Sequence, residues 1–159
     1  MEDASYNAKK HIARRIYAAT PSIRSPYFRG DVVLGFEGFQ HLRYSSRGPR
    51  SREEQALRFM LLPLAIRVLQ TASTVQEYRT FRAPSSGSKK VPRSQPPAMI
   101  HWWGFVALFI REQVKIRVVV RQIGTGKLHF WSLMPYRDQK MRVAGARLAE
   151  RKRPAGNDD

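Results

Sequence analysis

The sequence predicts an α+β fold in which N-terminal helices pack on a small antiparallel β-meander. In the first half of the chain, apolar residues recur at helical spacing. In the second half, three strand-like runs follow one another, at residues 100–110, 114–123 and 127–134. Only a few residues connect these runs, as antiparallel hairpins require. A chain of 159 residues has room for one such domain.

The first elements of the predicted fold are short. Residues 1–20 are expected to form a basic amphipathic helix that ends before Pro21. Residues 31–34 then predict a strand, and residues 39–44 predict a turn of helix.

A longer helix is predicted to begin at Ser51. Ser51 and Glu54 form the capping-box pattern, in which each side chain bonds the backbone N–H of the other residue. The core face of this helix is marked by apolar residues at helical spacing, namely Leu57, Met60, Leu61, Leu64 and Val68. Pro63 is expected to kink or split the helix, because proline removes a hydrogen bond of the helix interior.

The composition divides the chain into three parts. Residues 1–25 are interpreted as a basic N-terminal helix or extension, residues 26–136 as a single α+β domain, and residues 137–159 as a basic C-terminal tail. Within the domain, residues 83–98 are rich in Pro, Ser and Lys and lose all periodicity, so we expect a mobile loop there. The segment Q-E-Y-R-T-F-R that precedes this loop is a further strand candidate.

The charge of the chain indicates a polyanionic partner. The sequence has 29 Lys and Arg against 12 Asp and Glu, a net charge of +17, and a pI near 11.2. Such an excess repels itself in a compact domain unless a polyanion neutralises it, and nucleic acid is the leading candidate. Arginine supplies 21 of these positive charges, and its planar guanidinium both grips phosphate and stacks on bases.

Other classes of protein are disfavoured. No window reaches the roughly 18 consecutive apolar residues that a membrane span needs, and the N-terminus lacks the apolar stretch of a secretory signal. We therefore expect a cytoplasmic protein without a membrane partner. The absence of cysteine excludes disulfides and thiolate metal sites, and no metal or cofactor site is expected.

The middle strand of the meander is predicted to separate two environments. Apolar residues at 114, 116, 118 and 120 alternate with the basic residues Lys115, Arg117 and Arg121. Because successive side chains on a strand point to opposite faces, one sheet face should pack on the helices and the other should be basic.

The register of the last hairpin stays open at this stage. His129 and Ser132 differ in parity, so on a regular strand only one of them can share the face of Arg121. A two-residue turn at T-G would place Ser132 on that face, whereas a three-residue turn with a bulge would pair Arg121 with His129.

Three segments of the chain resemble known ribonucleases. They are E-G-F-Q-H-L-R with His41, V-K-I-R-V-V-V-R-Q-I-G with Arg121, and G-K-L-H-F-W-S-L-M-P with His129 and Ser132. The resemblance is to the metal-independent ribonucleases of the barnase, EndoU, colicin and RelE (BECR) fold, and most of all to their phage-associated and mobile-element branch. It covers about residues 31–136.

This resemblance implies an endoribonuclease of the toxin or effector type, in which the ribose 2′-OH attacks the adjacent phosphate and leaves a 2′,3′-cyclic phosphate. Such chemistry needs a base, an acid and cations or donors around the phosphorus. The resemblance assigns His41 as general base or acid, Arg121 as phosphate clamp, and Ser132, with His129 second, as a donor. RNA contacts are expected from basic and aromatic residues, namely Arg43, Lys115, Arg117, Lys127 and Trp131.

Each assignment has a structural alternative, since His41 could simply pack against its loop and Arg121 could be a solvated arginine on a sheet face. The implied partners are RNA, as tRNA, mRNA or the ribosome, and an antitoxin or immunity protein with an acidic surface. The main alternative function is a non-catalytic RNA- or ribosome-binding protein, and a DNA-compacting protein comes third.

Overall fold

The computed structural model describes residues 2–83 and 98–136. The predicted C-terminal tail, and the predicted mobile loop except for its two end residues, lie outside the described residues. The elements in chain order are α1 (Asp3–Ala19), β1 (Ser22–Ser25), β2 (Gly30–Val33), α2 (Phe36–Arg43), β3 (Tyr44–Ser45), β4 (Gly48–Pro49), α3 (Arg52–Thr71), β5 (Glu77–Arg82), β6 (Met99–Phe109), β7 (Val114–Ile123) and β8 (Leu128–Pro135).

The chain has an α+β fold built on a six-stranded sheet with the order β1-β2-β8-β7-β6-β5. Strands β5 to β8 form the expected antiparallel meander. The expectation of a purely antiparallel sheet is wrong, because β2 pairs with β8 in parallel, through Val32 with Leu128 and Val33 with His129. The chain between β2 and β8 contains α2, α3 and the first three strands of the meander, and β8 then runs beside β2 in the same direction.

The N-terminal helix belongs to the domain. Tyr6, Ala13 and Tyr17 of α1 are buried in the core, and α1 packs against α3. Strand β1 lies in the same sheet as β8 and buries Ile23. The expected boundary after residue 25 therefore does not correspond to a boundary in the fold, because the apolar face of α1 completes the core.

Helix α3 begins as the sequence predicts. The Ser51 hydroxyl accepts from the Glu54 amide at 3.2 Å, and the Ser51 amide donates to the Glu54 carboxylate at 3.2 Å. The helix is continuous through Pro63 rather than split there. Leu62 and Ala65, which flank Pro63, are buried in the core. The stability that the helix gains from this packing compensates for the hydrogen bond that the proline removes.

Helix α2 lies directly on β8. A Cβ added at Gly38 would come within 2.4 Å of the Phe130 carbonyl oxygen and 2.6 Å of the Tyr17 hydroxyl. The Tyr17 hydroxyl also donates to the carbonyl oxygen of Gly35 at 2.6 Å. This close approach fixes the side chains of α2 relative to β8.

The helices cover one face of the sheet, and the other, which we call the open face, has no helical layer within residues 2–83 and 98–136. Phe105 and Ile116 are buried on the covered face, while the register of β6 and β7 places Trp102 and Gly104 on the open face with Arg121 and Val119. Trp103, the residue between Trp102 and Gly104, points to the covered face and packs against the core. Within residues 2–83 and 98–136, no helix combines the length and apolarity needed to cross a bilayer.

Candidate functional site

A β-bulge in β8 answers the register question. Arg121 pairs with His129 and Val119 pairs with Ser132, so β8 has one extra residue, Trp131, between these pairs. Because a bulge places two residues opposite one, it shifts the parity of the strand. His129 and Ser132 therefore both lie on the face of Arg121. The expectation that only one of them could do so is wrong, since it assumed a regular strand.

The bulged residue, Trp131, lies at the centre of the open face. Its ring centroid is 3.4 Å from the Arg121 guanidinium carbon and 4.1 Å from the centroid of the His41 imidazole. Trp102 meets it edge to face, with centroids 5.4 Å apart and ring planes at 80°. Three elements, α2, β6 and β7, thus place functional side chains around one indole.

On one side of Trp131 is a cavity of about 430 Å³, which we call the groove. His41 and Ser132 both line it. Its other walls include four arginine or aromatic side chains, namely Arg50, Trp102 of β6, and Arg79 and Phe81 of β5. Phe81 and Trp102 stack with their ring planes 19° apart. The volume and the mixed polar and aromatic lining are typical of small-ligand sites.

The environment of His41 favours its neutral form. Burial lowers the pKa of His41 below its usual value, and the charges of Arg121 and Arg50 lower it further, against an opposing effect of Glu37. The backbone carbonyl of His41 accepts a hydrogen bond from Nε of Arg50 at 3.3 Å, which joins the end of α2 to the segment after β4. A neutral imidazole at pH 7 can accept a proton.

The arginines of the groove differ in their partners. Arg117 donates through Nε to Glu77 Oε2 at 2.7 Å, and its Nη2 lies 2.6 Å from the same oxygen. Arg79 is exposed and forms no ion pair with the residues that the structure describes. Of these two, Arg79 has the guanidinium that is available to a phosphate.

A second, smaller pocket is lined by Arg121, His129, Lys127 and Glu37, and we call it the Glu37 pocket. Nη2 of Arg121 is 3.2 Å from Glu37 Oε2, and the Arg121 side chain is only 17% exposed. Burial lowers the pKa of Arg121, and the neighbouring carboxylate opposes this effect. The predicted phosphate clamp is therefore stacked under an indole and paired with a carboxylate, outside the groove that contains His41 and Ser132.

Two further predicted RNA contacts lie away from the groove. Arg43 lines a different pocket, shared with α1, and its guanidinium carbon is 5.3 Å from the ring centroid of Tyr44. Lys115 lies at the far end of β7, with its ammonium 4.5 Å from the centroid of the Tyr136 ring.

Sequence reasoning missed several residues of the groove. Glu77, Arg79 and Phe81 occupy alternate positions of β5, so their side chains share the open face. The alternating pattern of E-Y-R-T-F-R could have indicated that these three side chains share a sheet face. No local pattern in the sequence connects Arg50 with His41.

Among residues 2–83 and 98–136, no group of three or more His, Cys, Asp or Glu side chains is placed to hold a metal ion. Comparisons of the chain with family models, with curated proteins and with solved structures found no match.

Proposed function

We propose that this protein is a metal-independent endoribonuclease that binds single-stranded RNA in the groove and cleaves it with His41 as general base. One observation carries the proposal. His41 from α2 and Ser132 from β8 line one groove beside Trp131, and this groove also contains stacked aromatic rings and Arg79, an exposed arginine with no ion pair among the described residues.

The groove suits a single strand better than a duplex. Phe81, which stacks on Trp102, is 45% exposed and offers an aromatic face, and a base that is free of a duplex stacks on such a face with about 1–3 kcal/mol. Arg79 and Arg50 lie beside these rings and can attract phosphates. The high net charge of the chain supports binding of a polyanion through long-range attraction.

The chemistry follows from the environment of His41. The neutral imidazole takes the proton of a ribose 2′-OH, and the 2′-oxygen attacks the adjacent phosphorus. The bond from phosphorus to the 5′-oxygen breaks, this oxygen takes a proton from water, and the hydroxide that remains takes back the proton held by the His41 imidazolium. The products are a 2′,3′-cyclic phosphate and a 5′-hydroxyl. The Ser132 hydroxyl, which forms no hydrogen bond with the described part of the chain, is the donor for the charge that develops on the phosphoryl oxygens.

The position of the three resembling segments supports a place in the BECR group. The segment with His41 forms α2, the segment with Arg121 forms β7, and the segment with His129 and Ser132 forms β8. Helix α2 contacts β8, and β8 pairs with β7, so segments far apart in sequence lie side by side. In this proposal the chain is a divergent member of that group, and an acidic antitoxin or immunity protein is its protein partner.

A second candidate function is RNA binding without cleavage. Two of the arginines predicted to contact phosphate are already neutralised, Arg121 by Glu37 and Arg117 by Glu77. His129, the other histidine of the open face, lines the Glu37 pocket rather than the groove. The pairing of these arginines bears on binding and cleavage alike. A protein that only binds RNA needs no second proton-transfer group, so the position of His129 favours this alternative.

Incubation of the purified protein with single-stranded RNA in EDTA separates the two functions. We expect cleavage products that end in 2′,3′-cyclic phosphates, and loss of cleavage by about 10²–10⁴-fold in His41→Ala with RNA affinity preserved. His11→Ala is the matched control, because His11 is an exposed histidine of α1 far in sequence from the groove. RNA binding without any cleavage by the wild-type protein would favour the second candidate.

A further inference from the structure

A cavity separate from the groove lies between α1 and α2. It has a volume of about 370 Å³ and shares no lining residue with the groove. Residues two positions apart on a helix point to nearly opposite sides, so His41 faces the groove while Arg43 lines this cavity, which we call the helix cleft. The proposed chemistry at His41 makes no use of the helix cleft.

Three cations converge at one end of the helix cleft. Arg14 of α1 and Arg43 of α2 both line it, and Lys10 lies one turn before Arg14 on α1. Burial lowers the pKa of Lys10, and the charges of Arg43 and Arg14 lower it further. The three side chains are therefore close enough to repel one another.

The described part of the chain does not neutralise these cations. No carboxylate within residues 2–83 and 98–136 forms an ion pair with Lys10, Arg14 or Arg43. Nε of Arg43 is buried and has no hydrogen-bond partner among these residues. By contrast, Arg117 and Arg121 are each paired with a glutamate. A buried guanidinium donor beside two other unpaired cations fits an anionic ligand.

The other end of the helix cleft presents an aromatic ring. Phe36, the first residue of α2, is 75% exposed and contacts no other ring of the described residues. It lies about 10 Å from Arg43 along the helix axis, because each residue of an α-helix rises by about 1.5 Å. A stacked nucleic-acid strand carries one phosphate per about 3.4 Å, so about three nucleotides span this distance.

The free ring favours a nucleic-acid strand over an acidic protein segment as the ligand. Either ligand would supply the negative charge that the cations lack. Unpaired bases also stack on exposed aromatic rings, and this stacking is tolerant of sequence because every base has a flat face. A ring beside unpaired cations is therefore typical of a surface that binds a single strand.

We propose that the helix cleft is a second RNA-binding site, in which Lys10, Arg14 and Arg43 hold backbone phosphates and Phe36 stacks a base. An RNA that extends beyond the groove contacts the protein on both sides of α2, and each contact strengthens the other because both belong to one strand. The proposal rests on the proposed function to the extent that the ligand is RNA, but it does not depend on cleavage.

Binding measurements with the full-length protein and a labelled uridine 20-mer test this proposal. The riboses are 2′-O-methylated so that no 2′-OH can attack. Arg14→Glu should weaken binding about tenfold, because a repulsive charge replaces a phosphate contact, and should reduce the slope of log K against log salt by about 0.7.

Arg15→Glu is the matched control. Arg15 is the next residue of α1 and is exposed, but it does not line the helix cleft. The same change in net charge should therefore weaken binding less than about twofold at physiological salt, where distant charges are screened. Equal midpoints of urea unfolding for the two variants show that a difference in binding is not a difference in folding.

Phe36→Leu separates RNA from an acidic protein segment. It removes the aromatic face but keeps an apolar side chain, so affinity for the uridine 20-mer should fall about fivefold or more. A labelled glutamate 20-mer has no rings to stack, and Phe36→Leu should leave its affinity unchanged. If Phe36→Leu also leaves RNA affinity unchanged while Arg14→Glu weakens both probes equally, the helix cleft accepts any polyanion and its assignment to RNA is wrong.

The remaining failures are distinct. If the wild-type protein does not bind the uridine 20-mer at low salt, both the proposed function and this proposal are wrong. If Arg14→Glu and Arg15→Glu weaken binding equally, the effect is one of net charge and this proposal alone is wrong. A tenfold loss in Arg14→Glu with little loss in Arg15→Glu supports the second site even in a protein that cleaves nothing.

Discussion

The groove, which Trp131 lines, and the Glu37 pocket, which Arg121 lines, contain similar residues, but their arginines differ in how available they are to a ligand. Each has a histidine and an arginine, His41 with Arg79 in the groove and His129 with Arg121 in the pocket. Arg79 is exposed and has no ion pair within the described residues. Arg121 is stacked on Trp131 and paired with Glu37.

The difference teaches that residue type alone does not identify a phosphate site. A guanidinium binds an incoming phosphate well when its donors are free, and a paired one must first give up its carboxylate. Arg121, the predicted phosphate clamp, is largely buried and bonded to other side chains of the protein. Arg79 was not a candidate in the sequence analysis, yet its guanidinium is exposed and could reach a ligand.

The largest expected effect comes from separating α2 from β8, because α2 supplies both His41 and Glu37. Gly38→Ala places a methyl group 2.4 Å from the Phe130 carbonyl oxygen, and such overpacking costs about 1–3 kcal/mol or more of folding free energy. Urea unfolding measures the loss. Gly30→Ala is the control, since its nearest atom is at 3.8 Å. Equal stability of the two variants would show that α2 can shift on β8.

Next in size is the contrast between the two arginines. Arg79→Met should weaken RNA binding about tenfold, because it removes a charge-assisted hydrogen bond, and should reduce the slope of log K against log salt by about 0.7. Arg121→Met should change neither, because its charge is already paired with Glu37. Fluorescence titrations at several salt concentrations measure both. A larger effect at Arg121 would restore it as the phosphate clamp.

The difference between the two arginines should become smaller when the carboxylate partner of Arg121 is removed. Glu37→Gln removes the carboxylate that neutralises Arg121, so the guanidinium becomes available to phosphate. RNA affinity should rise by about fivefold, the equivalent of roughly 1 kcal/mol for one exposed charge contact. The same titration compares it with Glu112→Gln, a glutamate at the opposite end of the sheet. If both substitutions raise affinity equally, the effect is one of net charge and not of the Glu37 pocket.

The smallest effect concerns the pH dependence. Because burial, Arg121 and Arg50 lower the pKa of His41, the fall in kcat/KM on the acid side should occur below pH 6.5. Arg121→Met should move this fall to higher pH, and Glu37→Gln should move it to lower pH, since the two charges act in opposite directions. The free energy of unfolding also depends on the lowered pKa of His41. The unfolded chain binds the proton more tightly, so lowering the pH from 6.5 toward the folded pKa costs stability.

Local patterns predicted most of the elements. The helix ending before Pro21, the capping box at Ser51 and the three-strand meander are all present where the sequence indicated. These features depend on residues within one turn, one strand or one hairpin, so their physics is local. The basic open face was predictable for the same reason, from the alternation in β7.

Only the tertiary structure decided which of these residues act together. The bulge at Trp131 put His129 and Ser132 on one face, and the parallel pairing of β2 with β8 brought α2 and His41 beside them. The partners of the arginines, Glu37 for Arg121 and Glu77 for Arg117, lie 84 and 40 residues away in sequence. The sequence by itself determined the α+β class and the strong positive charge, because these follow from periodicity and composition. The functional state of each arginine and histidine followed from packing, because burial and ion pairing depend on residues that only the folded chain brings into contact.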